Sequence, residues 1–165
     1  MRLARGTDFA YRILMLAAMN RKRSLTIEMA SQALGLSRAH LMKLIAKLSA
    51  HGFLETTRGR GGGMVLGKEP KDIRLGDVAE VMEADFGLVE CLYRDESHCA
   101  MFGGCELTFI MHRAVRGFLD LLNDYSLDDI LTKSQNSEDL ILPACFQCDG
   151  QPAKPETTNK PNSES

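Results

Sequence analysis

No stretch of this 165-residue chain approaches the roughly 18–20 consecutive apolar residues that cross a bilayer. The opening "MRLARGTDFAYRILMLAAMN" does not read as a signal peptide either, because Asp8 and Arg12 break its apolar positions and no small-residue cleavage site follows. These two absences predict a cytoplasmic protein with no membrane partner. Acids are scarce over residues 1–68, where twelve Lys and Arg face only Asp8, Glu28 and Glu55, a net +9. The rest of the chain has the opposite imbalance, eight against nineteen, a net −11. A half so short of acids suits a polyanion, whereas the acidic half cannot be the face that meets one. Signs of catalysis are also lacking. There is no paired-carboxylate setting and no nucleophile motif, and "GRGGG" has no Lys-Ser/Thr to complete a phosphate loop. An enzyme is not expected.

The five cysteines are an odd number, which argues against a closed disulfide framework. In a cytoplasmic chain clustered thiols stay reduced, and they bind metal or do redox work more often than they crosslink. Three of the five fall in "CLYRDESHCAMFGGC", as Cys91, Cys99 and Cys105, with the spacing C-x7-C-x5-C. Three thiolates are one short of the usual four for a structural zinc or an iron–sulfur cluster, so a fourth ligand is needed. His98 and His112 are local candidates. Zinc would suit three Cys and one His, iron–sulfur suits soft thiolates equally, and spacing does not choose between them. Gly103 and Gly104 would let the loop curl around a ligand. Cys145 and Cys148 make a C-x-x-C near the end, read as incidental or auxiliary thiols.

Around this loop the sequence predicts a mainly α protein. Residues 7–20 form a helix with Thr7 as N-cap and Phe9, Ile13, Leu16 and Ala17 at helical spacing. Residues 26–35 form a short amphipathic helix stopped by Gly35. A further helix at 36–53 is capped by Ser37, carries an inner stripe of Leu41, Leu44, Ile45 and Leu48, and ends at Gly52. Two helices joined by a tight Gly turn are a helix-turn-helix signal. The strand-like pieces of 54–67 flank a Gly-rich tip, giving a hairpin or wing. Later helices are predicted at 75–84, 107–125 and 126–133, the last capped by Ser126 with two acids in its first turn. The 107–125 helix carries Leu107, Ile110, Met111, Ala114, Val115, Phe118, Leu121 and Leu122, a stripe wide enough to predict a dimer interface.

In a helix-turn-helix the N-terminal part of the second helix reads the major groove. That places Arg38, Ala39, His40 and Lys43 at base edges, with Arg able to grip guanine and Ala able to touch a thymine methyl. Lys47, one turn on, is placed for phosphate. Arg58 and Arg60, presented among glycines at the wing tip, suit a narrow minor groove.

Taken together, "MRL…TD", "LSRAHLMK", "RGRGGG", the three cysteines and "FLDLLNDYSLDDIL" resemble the Rrf-type winged-helix iron–sulfur regulators over roughly residues 1–133. "LVEC" and "NDYSLDDIL" are most similar to the nitric-oxide-sensing branch typified by NsrR. The resemblance implies a homodimeric repressor on a palindromic operator in double-stranded DNA, with a cluster, of 4Fe–4S rather than 2Fe–2S type, held by Cys91, Cys99 and Cys105. It also implies a fourth ligand from Asp8 of the partner subunit. Asp8 equally suits a plain first-turn carboxylate favoured by the helix dipole. The x7 gap between the first two cysteines resembles that of iron-status regulators in the same family, which keeps iron supply open as the signal, and a zinc-stabilised DNA-binding module is the remaining alternative. The expected architecture is therefore a winged helix-turn-helix with a small β wing over 1–67 and a cluster loop with long dimerisation helix over 68–142. The Pro- and Ser-rich stretch 143–165 is expected to be a disordered tail.

Overall fold

The computed structural model describes residues 3–21, 24–57, 59, 62–89, 92 and 104–135. Helix α1 (Arg5–Met19) is the central element. Its Phe9, Ala10, Ile13, Leu14, Leu16, Ala17 and Ala18 are all buried, so the predicted apolar spacing is the one the core uses. The start differs from expectation. Ala4 occupies the N-cap position without a side-chain bond, and Thr7 lies inside the helix, fully buried. The Thr7 hydroxyl donates to Glu83 Oε1 at 2.5 Å instead of capping the helix.

Helices α2 (Ile27–Leu34) and α3 (Arg38–Ala50) form the helix-turn-helix. Thr26 Oγ1 caps α2 by accepting from the Met29 amide, and Ser37 Oγ caps α3 by accepting from the His40 amide. Between them Gly35 takes a left-handed backbone at φ 62°, which only glycine adopts without strain. The inner stripe of α3, Leu41, Leu44, Ile45 and Leu48, is buried as predicted.

Strands β1 (Leu54–Thr57) and β2 (Gly63–Leu66) pair antiparallel, Leu54 opposite Leu66 and Thr57 opposite Gly63. Leu25 adds a third, single-residue rung, exchanging backbone hydrogen bonds with Met64 at 2.9 and 2.8 Å. This rung fastens the hairpin to the stretch that enters α2, so the wing is held beside the helix-turn-helix.

A short 3-10 turn, Pro70–Asp72, leads to α4 (Leu75–Met82). The long helix α5 (Glu106–Asn123) lies against α4, and α6 (Leu127–Gln135) packs on the 3-10 turn. Close approach of α4 and α5 depends on Gly76, where any Cβ would collide with the Asn123 side chain. Asn123 Oδ1 in turn accepts from the Asp77 amide. The α5–α6 turn is stitched to the residues that enter α4 by Leu75 N–H to Tyr125 O and Leu127 N–H to Ile73 O. Ser126 caps α6 as expected, its hydroxyl and amide sharing the Asp129 carboxylate. Leu127 belongs to the same apolar core as α1 and α3, so one core runs from Phe9 through Met82 to Leu127.

Candidate nucleic-acid interface and thiol site

Ser37 ends the turn and starts α3, so the next residues stand at the exposed N-terminal end of that helix. Arg38, Ala39, His40 and Lys43 are all exposed there. The Arg38 guanidinium pairs with Glu28 on α2, both side chains more than half exposed, so the pair is weak and available for exchange. The His40 ring meets the edge of Phe9, with centroids 6.2 Å apart. The same Phe9 ring lies under Arg12 at 5.7 Å and Arg5 at 6.0 Å. The first turns of α1 therefore add two guanidinium groups beside the α3 N-terminus. Sequence reading missed Arg5 and Arg12 because their nearness to α3 is set by packing through Phe9. It also missed Met42, 56% exposed, one helical turn after Arg38 and Ala39. Met42 forms one wall of a groove of about 490 Å³ between α3 and the hairpin, opposite Thr56 and Thr57.

Lys47 stands apart from this set. Its Nζ donates to the Met82 carbonyl at the C-terminus of α4, 3.2 Å away. Arg58 and Arg60, at the wing tip, lie outside the described residues.

Of the thiols in the loop, Cys105 is described, while Cys91, Cys99 and His98 lie outside the described residues, as do Cys145 and Cys148. Cys105 is free and half-buried at the N-cap position of α5. The Thr108 and Leu107 amides at this helix start favour the thiolate and hold the thiol below its ordinary pKa, against smaller opposing effects of desolvation and Glu106. A thiolate held at a helix N-terminus is a fitting donor for a soft metal centre. His112 is exposed and seven residues on, about 10 Å along the helix axis at 1.5 Å per residue. Asp8 is exposed on α1 and bound to Arg12 of its own helix through two contacts, 3.0 and 3.2 Å. No group of three or more potential metal ligands forms among the described residues.

The stretch leading to the loop, residues 83–89, passes the start of α1, and the Phe86 ring leans on Phe118 of α5 at 6.5 Å. Helix α5 itself departs from a simple packed helix. Leu119 is the buried residue on it, while Leu107, Phe109, Ile110 and Leu121 are each at least half exposed. The predicted stripe is real in its spacing, but the chain does not cover most of it.

Residues 3–133 match the sequence model of the Rrf2 family, described as iron-dependent transcriptional regulators. The chain belongs to the Rrf2 family. Among its relatives, the HTH-type transcriptional regulator NsrR of Bacillus licheniformis is 37% identical over 86% of this chain and 99% of its own length. NsrR of Bacillus subtilis is 36% identical over 86% and 95%. Similar solved structures include CymR, the global cysteine regulator of B. subtilis, with TM-score 0.60, 26% identity and coverage of 81% of this chain and 98% of that one. IscR of T. potens has TM-score 0.65 at 22% identity, over 84% and 91%, a likeness of fold. These Rrf2 relatives and neighbours are transcriptional regulators, not enzymes, and a winged helix-turn-helix is a motif that binds DNA in general. Among the described residues no helix is long and apolar enough to cross a membrane.

Proposed function

We propose that this Rrf2 protein is an iron–sulfur-dependent repressor that binds a palindromic operator as a homodimer and senses nitric oxide. The observation that carries the reading is the position of Cys105. It puts a thiol with a favoured thiolate at the first turn of the helix whose apolar stripe is left open. A ligand to the metal centre and the proposed dimer surface thus share one rigid element. With Cys91 and Cys99, and Asp8 of the partner subunit as fourth ligand, the donor set suits a 4Fe–4S cluster. Such a cluster would supply an iron held by a carboxylate rather than a thiolate, a weaker ligand that nitric oxide can displace. Asp8 would have to exchange its contacts with Arg12, an exposed pair that costs little to break.

On DNA, Arg38, Ala39, His40 and Lys43 would face base edges, with Arg5 beside them, and Arg58 and Arg60 would enter the minor groove from the wing. Two such faces must sit about 34–36 Å apart to meet successive major grooves. A shift of Cys105 and α5 would alter that separation, and a coupling of about 1–3 kcal/mol makes a useful switch.

The test is an anaerobic titration of cluster-loaded protein with nitric oxide and, separately, with an iron chelator, following operator binding and the visible absorption. Loss of binding at stoichiometric nitric oxide is expected. Intact affinity under nitric oxide with loss under chelation would favour an iron-status regulator, a second reading motivated by the x7 gap. A colourless protein with stoichiometric zinc would sink both.

A further inference from the structure

Lys47 is exposed on the recognition helix, where a basic side chain would ordinarily reach a phosphate. Its ammonium is instead turned away to the last residue of α4, bonding the Met82 carbonyl at 3.2 Å. Carbonyls at a helix C-terminus have no partner within the helix, and the dipole there favours a cation. The contact is therefore a specific one. Met82 is buried, and the next residue, Glu83, receives the Ala4 amide at 2.8 Å and the Thr7 hydroxyl at 2.5 Å. Two adjacent residues at the end of α4 thus grip the recognition helix and the first turn of α1. Asp8 lies on that same first turn. From Glu83 the chain runs directly through Phe86, against α5, to Cys91.

We propose that Lys47 is a positioning residue that couples the thiol loop to the recognition helix. Its bond to Met82 makes the setting of α3 follow the segment that enters the loop. Lys47 is therefore not one of the phosphate contacts. This rests on the reading of the protein as a cluster-dependent repressor, whose loop exists in two states. Movement of the 84–89 segment pulls first on the end of α4, and the Lys47 bond passes that displacement to α3.

The test uses the full chain as wild type, Lys47→Met and Lys47→Arg, each with its cluster and after removal of the cluster by chelation. The probe is a duplex selected from random sequence by the wild-type loaded protein. Affinities are measured across a salt series. In Lys47→Met the ratio of loaded to cluster-free affinity is expected to fall by about fivefold or more. The cluster-free affinity and the slope of log K against log salt should stay at wild-type values. Lys47→Arg keeps a charged donor and should keep the ratio. Equal weakening of both forms in Lys47→Met, with a salt slope shallower by about 0.9, would mean a phosphate contact and overturn the proposal. An unchanged ratio with an unchanged slope overturns it as well, leaving Lys47 a merely structural residue. If the wild type binds equally with and without its cluster, the repressor reading itself fails, an outcome visible before any variant is compared.

Discussion

Thr7 and Tyr11 stand one turn apart on α1 and both direct their hydroxyls at α4. Thr7 reaches Glu83, and Tyr11 donates to the Leu75 carbonyl at 2.7 Å. Burial, with the Glu83 carboxylate adding to it, pushes the Tyr11 phenol from 10.0 up to about 12. In the unfolded chain it ionises first, so the folded state holds its proton more tightly. The contribution of Tyr11 to stability is complete below pH 10 and is lost as pH rises towards about 12. Urea midpoints measured through this window should fall less steeply for Tyr11→Phe than for the wild type. Neither partner of these hydroxyls was legible in the sequence. Thr7 has the composition of an N-cap, and only the placement of Glu83, 76 positions away, draws its hydroxyl into the interior. Arg38, Ala39, His40 and Lys43 stand where the sequence puts them, because their exposure follows from the period of α3 and the Ser37 cap.

At the scale of elements, the turn between α2 and α3 is the joint on which the proposed DNA-reading helix hangs. Gly35 holds φ 62° there with open space around its α-carbon, so a side chain would meet backbone strain rather than a collision. Gly35→Ala is expected to cost about 1–2 kcal/mol. The reading is chemical denaturation, in which the midpoint should fall while the unfolding slope is kept. This turn, the Thr26, Ser37 and Ser126 caps and the β1–β2 hairpin were all readable from local chemistry, since each depends on residues within a few positions of each other. Helix α5 was readable in extent and stripe but not in packing. Phe109 falls outside the expected stripe yet is exposed with it, and Leu119 also falls outside it yet is the residue of α5 that is buried. The rotation of α5 is set by Gly76 and Asn123 on the facing surfaces, and helical spacing says nothing of that.

For the whole molecule, the exposed Leu107, Ile110 and Leu121 form the apolar surface on which the proposed dimer depends. Ile110→Glu leaves the core untouched, since the residue is 51% exposed, but it places a charge on that surface. Sedimentation should show a monomer, and operator affinity should drop sharply because one recognition helix alone spans a half-site. A dimer that survives this change would remove α5 from the proposed interface.

The sequence by itself determined the order of helices, the capped helix α3, the β1–β2 hairpin and the charge division. Each is written in neighbouring residues or in a short repeat, and local chemistry is enough to form it. Tertiary structure alone decided that the exposed Lys47 bonds the end of α4, that Glu83 clamps α1, and that Cys105 begins the helix whose apolar face stays open. These depend on which surfaces meet across tens of residues. A hydrogen-bond donor or an apolar stripe has the same composition whichever partner the packing brings to it.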